Sequence, residues 1–269
     1  MKLIQHKCLP TVQYRHFLQN SFSPLENLFI DIKTLESVPD DFILTDKTDQ
    51  ADDYNERGIS FFNLTKYPEA IKEFTKAIKL VSTDPDYYYN RGLTYYSMKM
   101  LEQAIKDYKS AVEINPENAD YRNALASAME DRGDLKGAME HFNEAIKIEG
   151  DVPDYYYNRG NLFRKMGEKE KALLDFTRAV ELNSADQIFL YRHYEMLMDM
   201  ERYDEAAKDM DVAINLVPGS AFFVISKADA LEKAGKIQEA VKLLENILES
   251  DPDNADVKER ASKLREKIH

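Results

Sequence analysis

Pro85-Asp86-Tyr87-Tyr88-Tyr89-Asn90-Arg91-Gly92 returns letter for letter as Pro153-Asp154-Tyr155-Tyr156-Tyr157-Asn158-Arg159-Gly160, 68 residues or twice 34 further on. An identity of that kind directs the reading to internal repeats first. In 34-residue frames from Ala51, small residues align at Gly58, Gly92, Ala126, Gly160 and Ala228, with Tyr194 as the exception. A second column has no exception: Ala70, Ala104, Ala138, Ala172, Ala206 and Ala240. Four residues on stands a bulky column of Phe74, Tyr108, Phe142, Phe176, Met210 and Leu244, followed by Ala77, Ala111, Ala145, Ala179, Ala213 and Ile247.

Spacings of four and three place these columns on one stripe of a helix, and a small residue lets a neighbouring helix approach closely. Each frame is therefore read as two packed helices. Gly133, Gly167 and Gly235 fall at the junction between the two, where a helix-ending residue with positive φ is wanted. Pro116, Pro218 and Pro252 recur near the ends of second helices, and Pro85 and Pro153 fall at first-helix starts, where a missing N–H is harmless.

The repeats resemble tetratricopeptide repeats, and the resemblance covers residues 51 to 254 in six units: 51–84, 85–118, 119–152, 153–186, 187–220 and 221–254. It implies an all-α, right-handed α–α superhelix. Repeat five departs from the pattern, with Tyr194 for the small residue and Leu190 for an aromatic one, so its helix pair is expected to pack differently. After repeat six, Val257, Ala261, Leu264 and Ile268 form an apolar stripe on an otherwise charged helix, and residues 255–269 are expected to cap the stack. Residues 1–50 lack the repeat. Within them Ser23-Pro24-Leu25-Glu26 reads as a helix start, and Leu25, Leu28, Phe29, Ile32 and Leu35 as its apolar stripe, expected to dock on the first repeats near Ile59, Phe62, Leu93 and Tyr96, with docking in a partner's groove as the alternative.

Composition bounds the function. A net charge of −13 repels phosphate backbones and anionic lipid, so neither nucleic acid nor membrane is an expected partner. No stretch approaches the roughly 18 apolar residues of a membrane helix, and the first residues lack the apolar core of a signal peptide. One cysteine, Cys8, cannot form an internal disulfide, which fits a cytoplasmic setting. His141 and His193 lie in different repeats, and His6, Cys8 and His16 lack zinc-ligand spacing. No nucleophile elbow, phosphate-cradling loop or HExxH is present, so no metal, cofactor or catalytic residue is expected. The oligomeric state is not legible.

The resemblance further implies that the first helices line a concave face, with the fifth, sixth, ninth and twelfth residues of each repeat pointing into it. The candidate partner-binding residues drawn from those rows are Tyr89, Asn90, Asn123, Tyr157, Asn158, Asn161, Arg164, Tyr191 and Arg192. Tyrosine offers contact area with few rotatable bonds, and asparagine bonds both donor and acceptor of an extended backbone. Packing between adjacent repeats is the alternative role for these tyrosines, whereas Tyr88 and Tyr156 are expected in the core. The family's carboxylate clamp is not reproduced: repeat one has Asn55 and Ile59, repeat three Asp120 and Ala124, and repeat five Ile188 and Arg192. The expected function is a non-enzymatic scaffold gripping a protein or peptide, its acidic group fixed by Arg164 or Arg192, across repeats two to five. The alternative is a regulatory or targeting subunit of an enzyme complex, or a co-chaperone-like module lacking that clamp.

Overall fold

The computed structural model describes residues 47–268, so the expected helix near residues 24–36, with His6, Cys8 and His16, lies outside the described residues. Among the described residues there are thirteen helices: six pairs and one more. They divide at Gly150/Asp151 into two compact bodies.

The N-terminal body holds α1 (Lys47–Asn63), α2 (Tyr67–Leu80), α3 (Pro85–Ser97), α4 (Leu101–Ile114), α5 (Ala119–Arg132) and α6 (Leu135–Ile148). The C-terminal body holds α7 (Pro153–Lys165), α8 (Lys169–Leu182), α9 (Gln187–Asp199), α10 (Tyr203–Leu216), α11 (Ala221–Lys233), α12 (Ile237–Ser250) and α13 (Ala255–Arg265). Within each body successive helices pack in chain order, and first helices also touch: α1 with α3, α3 with α5, and α11 with α13. Connections of two or three residues make each pair an antiparallel hairpin.

The columns explain the pairing. Gly58, Gly92 and Gly160 face Phe74, Tyr108 and Phe176, and a Cβ on each glycine would meet the opposing ring at 2.5, 2.9 and 2.7 Å. That is too close for any side chain. Ala104 and Ala172 are fully buried at the second-helix column. In repeat five the bulk changes sides. Tyr194, 6% exposed, takes the glycine's place, the slimmer Met210 takes the ring's, and the Tyr194 hydroxyl donates to the Ser226 carbonyl at 2.9 Å.

All six intra-pair turns place one residue at positive φ: Gly133, Gly167 and Gly235 at 98°, 79° and 78°, but also Thr65, Lys99 and Glu201 at 58°, 60° and 59°. Asp84 caps α3 from its side chain, with Pro85 in the first turn. Pro116 and Pro252 lie just beyond the ends of α4 and α12.

One core assignment is corrected. Tyr87 and Tyr155 are fully buried, while Tyr88 and Tyr156 are half-buried. In both repeats the first helix buries its third residue rather than its fourth, and in repeat two Tyr87 packs with Ala51 and Ala77 of the preceding pair. Leu93 and Tyr96, part of the face on which the helix near residues 24–36 is expected to dock, are buried, and the Tyr96 hydroxyl donates to Asp131 at 2.8 Å.

Candidate functional site

The candidate residues all lie on first helices, and burial divides them. In the N-terminal body, Tyr89 of α3 is half-buried, its ring 5.8 Å from that of Tyr108 and 5.2 Å from that of Tyr121. Asn90 donates from Nδ2 to Asn55 Oδ1 on α1 at 3.0 Å, so two asparagines one repeat apart form a ladder. Asn123 of α5 is fully buried.

In the C-terminal body, Tyr157 of α7 is 4% exposed and wedged between Phe176 and Phe189, 6.1 and 5.3 Å away. It fills space between repeats, the second of the two roles open to it. Asn158 is also buried. Asn161 is half-buried and Arg164 exposed, both on α7. Tyr191 of α9 is half-buried beside Tyr194 and Phe222, and burial holds its phenol above the ordinary tyrosine range. Arg192 donates to Glu195 at 2.5 Å on the same helix. Arg164 makes no ion pair among the described residues.

Further along that face, Arg260 of α13 bonds Asp229 and Glu232 of α11, and Lys267 bonds Glu232 as well. Lys267 holds the Glu232 carboxyl below the ordinary range despite burial, with Arg260 adding to it. Burial raises Asp229 against the pull of Arg260. The ninth and twelfth residues of repeat six are thus already occupied by basic side chains from the last helix and the turn after it.

Two sets of side chains were not singled out in the sequence. The first is a bridge between repeats: the Tyr87 hydroxyl donates to Asp52, and the Tyr121 hydroxyl to Asp86, each pair 35 residues apart. Burial first, and the carboxylate second, push both phenols up, so they stay protonated donors. The signal was present. The second residue of each repeat runs Asp52, Asp86, Asp120, Asp154, Ile188 and Phe222, and the third becomes Phe189 and Phe223 where the hydroxyls cease. Ile188 and Phe222 are 47% and 48% exposed, adding an apolar margin beside Tyr191.

The second set lies between the helices of a pair. The guanidinium of Arg91 takes Asp107 at 2.7 and 2.8 Å and Thr75 at 3.1 Å, and that of Arg159 takes Asp175 at 2.8 Å twice.

Models of the tetratricopeptide repeat match residues 85–118 and 153–186, related repeat models match 58–99 and 131–167, and another tetratricopeptide-repeat model matches 197–264. The chain is a tetratricopeptide-repeat protein. Solved structures agree in fold. YrrB, described as a TPR protein with an unusual peptide-binding site, is 24% identical with a TM-score of 0.55, covering 69% of this chain and 96% of its own. PilF of Pseudomonas aeruginosa is 14% identical with a TM-score of 0.64, covering 81% and 99%. MamA is 24% identical with a TM-score of 0.56, covering 64% and 93%. No curated protein matches the chain. Among the described residues no helix of this tetratricopeptide-repeat chain is long and apolar enough to cross a membrane.

Proposed function

We propose that the chain is a non-enzymatic scaffold that holds a protein or peptide segment on the first helices of its C-terminal body, with Arg164 taking an acidic group of the partner. The observation that carries this reading is Arg164 itself: an exposed guanidinium without an ion pair among the described residues, in a chain of net charge −13. Acidic side chains outnumber basic ones, yet this cation is left to solvent. Asn161 lies three residues before it on α7, and α9 contributes the half-buried Tyr191. Such a set suits an extended backbone with a carboxylate, which arginine can grip with two bonds. Arg192 is the weaker candidate for that task because Glu195 already engages it. The peptide-binding description of YrrB points the same way for this fold.

The test is a peptide array of acidic and charge-neutral decapeptides probed with the intact chain and with Arg164→Ala. Acidic peptides should be retained by the intact chain and weakened roughly tenfold, about 1.4 kcal/mol, by the substitution, with circular dichroism unchanged. Equal retention by both proteins would move the contact elsewhere.

A further inference from the structure

We propose that His193 is a proton-dependent tie between repeats four and five, standing where repeats one, two and four carry a permanently charged arginine. The seventh residue of each repeat runs Arg57, Arg91, Leu125, Arg159, His193 and Lys227. Arg91 shows what the position does: it joins Thr75 on the second helix of the preceding repeat to Asp107 on the second helix of its own. His193 repeats that geometry with the same partner types at the same spacings. Its Nε2 lies 3.0 Å from Thr177 Oγ1 on α8, and its Nδ1 lies 2.7 Å from Asp209 Oδ2 on α10.

Hydrogen counting ties the bonding pattern to the ring's charge. While the Thr177 hydroxyl donates its one hydrogen to the Leu173 carbonyl at 2.8 Å, its oxygen can only accept from His193, and Nε2 then carries a hydrogen. An aspartate carboxylate accepts only, so Nδ1 must carry one as well. Both bonds coexist with the Leu173 bond only when the ring is the imidazolium cation. A neutral ring can keep Nδ1–H toward Asp209, but then Nε2 accepts, and Thr177 must turn its hydrogen away from Leu173. Deprotonation therefore removes the ion pair and breaks the link to the α8 backbone. Arginine at the other positions cannot do this, whereas histidine changes charge within the ordinary cellular range of pH.

Charged groups lie near the ring on α8, α9 and α10. From α10 the ring faces Asp209 and, further off, Glu205, whose carboxyl is held low mainly by Arg202 with His193 contributing. From α8 it meets the uncharged Thr177, while the adjacent Arg178 is engaged by Glu181. On α9 the neighbouring Arg192 is engaged by Glu195. The ring and the Asp209 side chain are 14% and 15% exposed, so solvent screens the pair only in part.

The experiment is segment-resolved amide hydrogen exchange on the full chain, corrected for intrinsic rates, from about pH 5.5 to 8.5. It compares the native protein with His193→Arg, a residue that the same position accepts in repeats one, two and four. Native protection in α8 and α9 should fall about three- to tenfold as pH rises across that range, while the arginine variant stays flat. Equal slopes in the two proteins would overturn the proposal. Asp209→Asn supplies the second reading should the arginine variant misfold: it should start near the native alkaline level and stay flat, and a retained native slope would overturn the proposal equally. Nitrogen-15 spectra of the ring give a direct check, because a neutral ring at the acid end contradicts the hydrogen count above.

Discussion

Arg91 holds Asp107 with two parallel bonds of 2.7 and 2.8 Å across sixteen residues of sequence, and the carboxylate it holds is 3% exposed. Burial alone would lower the guanidinium's affinity for its proton, but Asp107 reverses this and raises it. Removing one partner leaves a buried charge alone. Arg91→Ala is expected to cost about 3 kcal/mol in urea unfolding. The double substitution Arg91→Leu with Asp107→Leu should recover most of it, since repeat three already carries a buried Leu125 at the arginine's position. A double variant no more stable than Arg91→Ala would show that the fork adds stability beyond what apolar packing supplies.

The left-handed turn residues give a prediction of opposite sign. Glu201 sits at φ 59° where three other repeats use glycine, and a side chain there crowds its own carbonyl. Glu201→Gly should raise stability by about 1 kcal/mol, and Gly167→Ala should lower it by a similar amount. Urea midpoints of the two variants moving in the same direction would contradict the turn geometry.

The close glycine and alanine contacts predict intolerance to added carbon. Gly92→Ala puts a methyl group 2.9 Å from the buried Tyr108 ring, and Ala104→Leu or Ala172→Leu overfills a contact with no free surface. Each should cost roughly 1–3 kcal/mol and lower the melting temperature. Unchanged melts for both leucine variants would break the repeat register.

His141 predicts acid sensitivity in the N-terminal body. Burial is the main cause that lowers its pKa, with Arg122 adding to it, so the fold prefers the neutral ring. The unfolded chain then binds more protons than the folded one below the ordinary histidine value of 6.5. Stability is therefore full above that pH and falls as pH drops through it toward the folded value. His141→Gln should flatten the decline, read as urea midpoints across the acid range. A steeper acid loss in the variant would reverse the assigned sign.

The fold was legible because its columns are nearly free of exceptions, and an exceptionless alanine column such as Ala70 to Ala240 has one physical explanation. The candidate site was legible only in part. Tyr87, Tyr88 and Tyr89 are chemically identical neighbours spread over about 200° of one helix, so nothing in a single sequence says which meets the core. Packing decided it: Tyr87 entered, Tyr88 stayed at the margin, and Tyr89 leaned on Tyr108 and Tyr121. Tyr157 was harder still, because its burial depends on Phe189 one repeat away. The Tyr87–Asp52 bridge escaped because its members sit in different columns of different repeats, whereas periodic reading compares like with like.

That bridge bears on how such a chain can change length. Each joint in the N-terminal body asks for an acid on one side and a phenol on the other, and the identical octapeptides at 85–92 and 153–160 offer the same phenol. Excising the 68 residues from 85 to 152 would present Tyr155 to Asp52 in place of Tyr87, with every column still in step. The shortened chain should fold, with a helical circular dichroism spectrum and a cooperative melt, as nearest-neighbour stacking allows. Excising 102 residues, 85 to 186, would instead set Asp52 against Phe189, stranding a carboxylate at a joint without a donor, and should fold less well. The array is thus built to lose or gain repeats in some steps and not in others, and the hydroxyls mark which.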